Sequence, residues 1–188
     1  MTEKMNIKII TKDNWEDFVQ LLSINPQCSE CWCLNHRVAP NEIVYGDVAK
    51  NRMEKLVCQN RVGGLLGYLD KKCVAWISVD SLASQVGHDY ILEGNEVPEN
   101  SWTIHCLYID PKHRGQGLSK KLIEAAIEYA KDNNAKKILV FPIPPSSKDN
   151  DFPEDDEFSG RYSTYKKLGF VEDFRMNDFY QVMSLKVS

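Results

Sequence analysis

A short run at residues 112–119 combines basic side chains with glycines, which is the composition of an anion-binding turn. The run is Lys112-His113-Arg114-Gly115-Gln116-Gly117-Leu118-Ser119. Glycine lets a backbone approach a ligand closely, and free N–H groups in the first turn of a helix attract anions with the help of the helix dipole. An apolar stretch precedes the run and a helical pattern comes after it, so the run predicts a cradle for a phosphate or pyrophosphate. The alternative is an ordinary strand-to-helix loop, in which glycines are also common.

Two better-known phosphate motifs do not fit this run. No Gly-Lys-Ser or Gly-Lys-Thr is present at the spacing of a P-loop, and no Gly-x-Gly-x-x-Gly is present to bind a dinucleotide. The prediction therefore depends on the two glycines, the basic side chains and the helix behind them.

Cysteine and histidine are concentrated in a second segment, which carries Cys28, Cys31, Cys33 and His36. Three thiols and one imidazole can hold zinc in a tetrahedral site. However, Cys31 and Cys33 are very close in sequence and the segment has no second Cys-x-x-Cys. Packing in the core and a place in a substrate pocket are the alternatives, and we expect no metal.

The overall composition limits the classes of function. The chain has 188 residues, 43% of them hydrophobic and 27% charged, and its net charge of −4 argues against a general nucleic-acid-binding protein. No run reaches the ~18 apolar residues of a membrane-spanning helix, and residues 1–10 lack the apolar core of a signal peptide. We therefore expect one cytoplasmic domain over residues 1–188, with its six cysteines reduced.

The elements that must position these groups can be read from apolar periodicity and from breaks at Pro and Gly. The predicted order is strand, two helices, three strands, helix, strand, helix and two strands, a mixed α/β arrangement. The second helix is expected at about Asp47 to Gln59, with four side chains facing inward: Val48, Met53, Leu56 and Val57. A hairpin is expected to turn at Asp70-Lys71-Lys72.

The apolar stretch Trp102 to Ile109 predicts a strand covered on both faces, and therefore central in its sheet. Simple alternation divides its side chains between the faces, with Trp102, Ile104, Cys106 and Tyr108 on one and Leu107 and Ile109 on the other.

A polar stretch at residues 146–157 carries six acidic residues between Asp149 and Glu157. A solvated excursion is the plain interpretation. The alternative is an electronegative rim that attracts a cationic substrate.

Two motifs and their spacing resemble the GNAT superfamily of acyl-CoA-dependent N-acetyltransferases. The run Arg114 to Ser119 is similar to the family signature Arg/Gln-x-x-Gly-x-Gly/Ala, with Ser119 in place of the usual last residue. The stretch Tyr165 to Phe170 is similar to the late Tyr-x-x-x-Gly-Phe element. The order of central strand, cradle, helix, strand, late helix and hairpin also agrees, over about Met5 to Val187.

A closer resemblance is to members with an early Cys-Trp-Cys and a late Phe-x-Gly. These correspond to Cys31 to Cys33 and to Phe158 to Gly160. Cys31, Trp32 and Cys33 are then candidates for the acceptor pocket, with Trp32 as a wall.

The resemblance implies a mixed, mostly antiparallel sheet of about seven strands, flanked by helices and splayed at its middle strands. It implies acetyl-CoA as cosubstrate. The residues expected to bind it are Arg114, Gly115, Gln116, Gly117, Leu118 and Ser119 at the pyrophosphate, and Leu107, Tyr108 and Ile109 along the pantetheine arm. One N–H of that strand would polarise the thioester carbonyl.

Two side chains are candidates for proton transfer. Tyr165 matches the position that often protonates the departing thiolate, and its alternative role is aromatic packing. His105 lies where some members carry a base, and an unperturbed pKa of about 6.5 suits that role. The alternative for His105 is a buried, hydrogen-bonded histidine. No Asp or Glu lies between Ser101 and Ile109; the carboxylates that could substitute are Glu93, Glu96 and Glu99.

The implied function is N-acetylation of a primary amine on a small molecule or peptide, with no nucleic-acid or membrane partner and with a homodimer possible. Two other functions remain open at this point: a non-catalytic acyl-CoA sensor, and a zinc-stapled interaction protein built on the Cys28–His36 segment.

Overall fold

In the part of the chain that the structure describes, seven strands form one open sheet in the order β1-β2-β3-β4-β5-β7-β6. The computed structural model describes residues 5–86, 92, 95–144, 158–175 and 181–187, so the acidic stretch at 146–157 lies outside the described residues. The strands are β1 Asn6–Ile9, β2 Gly64–Leu69, β3 Lys72–Ser81, β4 Ser101–Ile109, β5 Lys137–Val140, β6 Val171–Arg175 and β7 Gln181–Lys186. All neighbours pair antiparallel except β4 and β5, which are parallel. This mixed, mostly antiparallel sheet confirms the predicted fold class, with β4 at its centre.

Five α-helices accompany the sheet in the described residues: α1 Trp15–Leu22, α2 Pro26–Cys31, α3 Gly46–Cys58, α4 Leu118–Asp132 and α5 Tyr162–Lys167. The sequence shows no clean period at α2. That helix is instead started by Pro26 in its first turn, with the Asn25 side chain accepting the N–H of Gln27. None of the helices within the described ranges has the length and apolar character needed to span a bilayer.

The sheet separates two apolar cores. On one side α4 packs against β2, β3 and β4. On the other, α1 packs on β3, and α2 lies on α3. Periodicity predicts that Val48 faces inward on α3, but it is 57% exposed, and Ala49 takes a buried position with Met53 and Val57. The smaller alanine lets the helix lie close to its neighbours, and the prediction for Val48 is wrong.

A β-bulge at His105 changes the phase of the central strand. β3 and β4 pair Ser78 with Cys106 and then Val79 with Ile104, which leaves His105 without a partner across the ladder. As a result Trp102, Ile104, Leu107 and Ile109 share the α4 side, while Cys106 and Tyr108 lie on the α1–α3 side. The predicted assignment of Trp102 and Ile104 to the face of Tyr108 is wrong, because it assumes uninterrupted alternation.

Candidate active site

The glycine turn before α4 opens to solvent. Gly115 and Gly117 have φ angles of 77° and 74°, and a Cβ added to either would meet no atom within 4 Å. Gly117 is the N-cap of α4 and brings no side chain to cap it. Within the described residues, no acceptor meets the N–H groups of Leu118, Ser119 and Lys120. The turn therefore presents free donors and the positive end of a 15-residue helix to open space.

Asp110 fixes the point at which β4 ends and the turn begins. Its N–H donates to the Val74 carbonyl at 2.9 Å, and its carboxylate accepts the Lys112 N–H at 3.0 Å. The same carboxylate lies 3.4 Å from Lys72 Nζ and 3.2 Å from His113 Nδ1. Burial raises the pKa of Asp110, but the Lys112 N–H and the Lys72 ammonium outweigh burial and hold it below its ordinary value. Asp110 therefore remains charged and anchors the turn.

Arg114 is tied to the end of the same strand. Its Nε donates to the Ile109 carbonyl oxygen at 3.3 Å. The guanidinium thus lies beside the edge of β4 that β5 leaves uncovered. The predicted cradle residues, Arg114 and the run 115–119, therefore lie together at one end of the sheet.

β4 extends beyond its parallel neighbour β5. Their pairing stops at Ile104 and Val140, whereas β4 continues to Ile109. The exposed edge is partly occupied by the chain itself, since the Leu107 N–H donates to the Phe158 carbonyl at 2.6 Å. The predicted splay lies here, with the main chain of Phe158 inserted beside it.

Tyr108 lies on the opposite face from Leu107 and is fully buried. Among the described residues its hydroxyl has no hydrogen-bond partner. Burial, reinforced by the nearby Cys28 and Asp110, raises the pKa of Tyr108 to about 12. An unpaired buried hydroxyl is uncommon in proteins, and this one lies among the side chains of the α1–α3 core.

Tyr165 is buried beneath the same edge. Its hydroxyl donates to the Ser159 carbonyl at 2.9 Å, and its ring packs edge-on against Phe170 at 5.2 Å. Burial raises its pKa further, with a smaller effect from Cys106. The Leu107 N–H, which belongs to the strand segment expected to face the pantetheine arm, and the Tyr165 O–H are therefore bound to the consecutive carbonyls of Phe158 and Ser159.

His105 is stacked between two rings. Its centroid lies 4.5 Å from that of His36 and 4.7 Å from that of Phe141, with interplanar angles of 19° and 11°. The bulge that removes His105 from the β3 ladder directs its side chain into this stack. The sequence places His36 in the Cys28–His36 segment, for which zinc binding, core packing and a substrate pocket are the candidate roles, and no local pattern indicates that it pairs with His105.

Both imidazoles are held by hydrogen bonds through Nε2. His105 Nε2 lies 2.7 Å from Gln85 Oε1, and His36 Nε2 lies 3.0 Å from Ser78 Oγ. Burial, with a contribution from Arg37, lowers the pKa of His105 to about 3. Burial also lowers the pKa of His36, helped by its two neighbours His105 and Arg37. Both rings are therefore neutral near physiological pH.

The carboxylates considered as alternative bases have no contact with His105 in the described residues. Glu96 and Glu99 are exposed, and neither has a hydrogen bond or ion pair to the histidine stack in the described part of the chain. Glu93 lies outside the described residues. The imidazole is the basic group that the described structure brings to β4.

The Cys28–His36 segment packs against the central strand, next to His105. Cys33 Sγ lies 3.1 Å from Cys106 Sγ and accepts the Trp76 N–H at 3.2 Å. Trp32 and Cys33 have φ angles of 47° and 53°, which turns the chain sharply after α2. Trp32 is 4% exposed, with Lys50 Nζ 5.5 Å from its ring centroid. Of the predicted pocket residues, Cys33 contacts the chain neighbour of His105, and both Trp32 and Cys33 are largely enclosed.

The thiols are held in their neutral form. Burial raises the pKa of Cys28 to about 12, and the nearby thiol of Cys31 adds to this effect. A hydrogen bond to Cys33 and then burial raise the pKa of Cys31, and a hydrogen bond to Cys106 raises that of Cys33. Zinc needs thiolates, and no group of three His, Cys, Asp or Glu within the described ranges is arranged to hold a metal ion.

Comparison with known proteins agrees with this geometry. The chain matches the profile of the acetyltransferase (GNAT) family over residues 29–149, a span that includes β4, the glycine turn and α4. An uncharacterized N-acetyltransferase of Archaeoglobus fulgidus is 28% identical over 132 residues, which is 70% of this chain and 78% of that protein.

Two solved structures share the fold. The PaiA N-acetyltransferase of Thermoplasma acidophilum, in complex with coenzyme A, superposes with a TM-score of 0.53 at 13% identity, covering 98% of this chain and 99% of that one. The yncA protein of Salmonella typhimurium, solved with its cofactor acetyl-CoA, gives 0.56 at 14% identity, covering 98% and 95%. At these identities the likeness concerns the fold.

Proposed function

This chain belongs to the acetyltransferase (GNAT) family, and from that membership we propose that it transfers the acetyl group of acetyl-CoA to a primary amine. The amine is carried by a small molecule or a peptide and attacks the thioester directly within a ternary complex. The observation that carries the proposal is the open glycine turn, whose free N–H donors face solvent at the N-terminus of α4.

The cradle binds the pyrophosphate through main-chain amides. The N–H groups of the run 116–119 supply the hydrogen bonds, and the Arg114 guanidinium supplies the charge. Ser119 adds a hydroxyl at the same place. Because Gly115 and Gly117 leave the approach clear, a phosphate can lie directly on the backbone.

The uncovered edge of β4 binds the pantetheine arm. The N–H groups that face this edge, including that of Leu107, pair with the arm and polarise the thioester carbonyl as the amine attacks. Tyr165 then protonates the departing thiolate. For both groups to act, the carbonyls of Phe158 and Ser159 must leave the positions that they hold in this structure.

His105 receives the proton that the attacking amine loses, either directly or through water. Its ring is neutral across the physiological range because burial lowers its pKa, so it is always in the accepting form. A base of such low pKa holds a proton weakly, so His105 passes the proton on rather than storing it. The Cys31, Trp32 and Cys33 segment forms the neighbouring side of the acceptor site.

Titration with acetyl-CoA and CoA by calorimetry tests the proposal. We expect binding by wild-type protein, and absence of binding at millimolar ligand would reject it. Turnover is then measured over a panel of primary amines by chromatographic detection of CoA, because the exposed thiol of Cys58 would react with thiol dyes. Binding without CoA release across the panel would identify a non-catalytic sensor. Light scattering tests the homodimer that the family resemblance suggests.

A further inference from the structure

The proposed acetyl transfer requires one nitrogen of His105 to be free of hydrogen, and the contacts of the ring indicate which one. Nε2 of His105 lies 2.7 Å from Oε1 of Gln85. An amide oxygen only accepts hydrogen bonds, so Nε2 carries the hydrogen and Nδ1 does not. We propose that Gln85 is a positioning residue that fixes the Nε2–H tautomer of His105 and leaves Nδ1 to take the proton of the amine. This inference rests on the proposed function.

The Gln85 amide is itself held in place by β4. Its Nε2 donates to Thr103 Oγ1 at 2.5 Å, and its backbone N–H donates to the Leu82 carbonyl at 3.1 Å. Gln85 and Thr103 are 2% and 0% exposed, so water does not compete for these bonds. The amide therefore spans two residues of one strand, with its nitrogen toward Thr103 and its oxygen toward His105.

Nδ1 of His105 remains available. No described residue hydrogen-bonds to it, and the ring is only partly buried. His36 and Phe141 cover both faces of the ring and oppose its rotation. A ring held at Nε2 and covered on both faces can exchange protons only at its remaining edge.

The charges around the ring favour its neutral form. His36 and Arg37 approach from the turn at 35–37, and Arg37 is paired with Asp80 on β3. The remaining titratable neighbour on β4 is the Cys106 thiol, in contact with Cys33. With no unpaired carboxylate facing the ring in the described structure, the neutral amide of Gln85 fixes the tautomer without charging His105.

The tautomer is measured by long-range ¹H–¹⁵N correlation spectra of ¹⁵N-labelled, ligand-free protein, with His105 assigned from the His105→Gln difference. We expect the Nε2–H pattern, in about tenfold excess over the other tautomer. The Nδ1–H pattern would overturn the inference, because it would require the amide nitrogen of Gln85 to face the ring. Acetyl-CoA titration tests the family function separately, so the two can fail independently.

Variants separate positioning from packing. Gln85→Glu keeps the acceptor, so the Nε2–H tautomer should persist, while the carboxylate raises the pKa of His105. In Gln85→Leu the tautomer ratio should fall by roughly five- to tenfold. Thr103→Val removes an acceptor of the Gln85 amide N–H without a change of shape and should also lower the tautomer ratio. It serves as the test if Gln85→Leu does not fold.

Gln181→Leu is the matched control. Gln181 is also buried, but within the described residues its amide donates to the backbone carbonyls of Phe174 and Val182 and has no contact with His105, so the His105 signals should not change. An unchanged tautomer ratio in both Gln85→Leu and Thr103→Val would overturn the role of Gln85. With an active amine in hand, Gln85→Glu should also move the acid limb of kcat to higher pH.

Discussion

At the scale of single residues, the site is built from groups whose protonation is set by burial. The thiols of the Cys28–Cys33 segment and the hydroxyl of Tyr165 are kept neutral, and so are the imidazoles of His36 and His105. A surrounding of low polarity strengthens each hydrogen bond that it contains. It also makes folding sensitive to acid, because protonation of a buried imidazole is disfavoured.

The acid sensitivity has a definite sign for His105. Its pKa is lowered from 6.5 to about 3, so the unfolded chain takes up the proton first as the pH falls. The stabilising contribution of the neutral imidazole is complete above the pKa of His105 in the unfolded chain, and it is lost as the pH falls below that pKa. We expect the free energy of unfolding in urea to be smaller at about pH 5 than at neutrality, and the difference to be smaller in His105→Asn. An equal acid loss in the variant would assign the effect to other groups.

Tyr165→Phe separates catalysis from packing at the second residue proposed to transfer a proton. The change leaves the partly buried Ser159 carbonyl without its donor, which should reduce stability by about 1 kcal/mol. Loss of the general acid should lower kcat by about 100-fold or more, with little change in acetyl-CoA affinity. The checks are urea unfolding, turnover and calorimetry. If the variant is less stable but its turnover is unaltered, Tyr165 has a packing role and is not the general acid.

The sequence indicates some of these residues but not their companions. Arg114 and its glycines can be predicted because their function depends on neighbours in the chain. His36 and Gln85 meet His105 only through folding, across 69 and 20 positions of sequence. No local pattern marks a glutamine in a polar loop as the partner of a strand histidine.

At the scale of elements, the glycine turn and the N-terminus of α4 form one unit. Gly117→Ala places a methyl group in the open space before the helix and strains a φ of 74°. We expect about 1 kcal/mol of lost stability and at least a tenfold loss of acetyl-CoA affinity, measured by urea unfolding and calorimetry. Gly169→Ala, at φ 89° and far from the turn in sequence, is the control and should lower stability without affecting affinity.

Gly160 has the opposite environment. A Cβ there would lie 2.6 Å from Tyr165 Oη, at a φ of 80°. Gly160→Ala should therefore displace the segment from Tyr165 and destabilise the protein by about 2 kcal/mol or more in urea unfolding. Gly115→Ala has nearly the same φ, 77°, but open space around it, so it should cost only the backbone strain. Equal losses would show that contact with Tyr165 is unimportant.

The β-bulge is the element-scale feature that periodicity cannot reveal. One additional residue at position 105 reverses the facing of residues 101–104 relative to residues 106–109. The apolar composition of β4 is compatible with either phase because both faces are buried. Pattern analysis therefore predicts the strand and its central place correctly but assigns Trp102 and Ile104, before the bulge, to the wrong core.

At the scale of the whole molecule, one buried ion pair joins the turn after α2 to the sheet. Arg37 pairs with Asp80 and also donates to the Gly63 carbonyl at 3.1 Å and to Ser78 Oγ at 2.8 Å. Asp80 in turn accepts the Gly63 N–H at 3.0 Å. This network holds the His36 ring against His105.

Arg37→Met should cost about 3–5 kcal/mol, because it leaves the Asp80 carboxylate buried without its partner. Arg37→Met combined with Asp80→Leu should recover part of that loss, and a double-mutant cycle in urea measures the coupling. Additive losses in the cycle would contradict a direct interaction. The single variant should also broaden the signals of His36, whose neighbour it removes.

The overall architecture is predictable because strand order and helix order are encoded in apolar periodicity and in glycine and proline breaks. The hairpin at Asp70 and Lys71, the central strand and the helix behind the glycines all arise from such signals. The short helix α2 escapes prediction because six residues are too few for a period to appear. Its capping residue, Asn25, is the signal that could identify it.

If acetyl-CoA binds as proposed, the carbonyls of Phe158 and Ser159 compete with it for the Leu107 N–H and the Tyr165 hydroxyl. Each of these carbonyls already accepts one hydrogen bond from the site. A bound thioester would replace them as acceptor, so the number of hydrogen bonds would stay nearly constant. The apparent affinity for coenzyme A then equals the intrinsic affinity multiplied by the fraction of molecules in which residues 158–160 have left the edge of β4. If the segment occupies that edge in about 99% of molecules, binding is weakened about a hundredfold. Substitutions that only loosen residues 158–160 should tighten the binding of coenzyme A while the cradle stays unaltered.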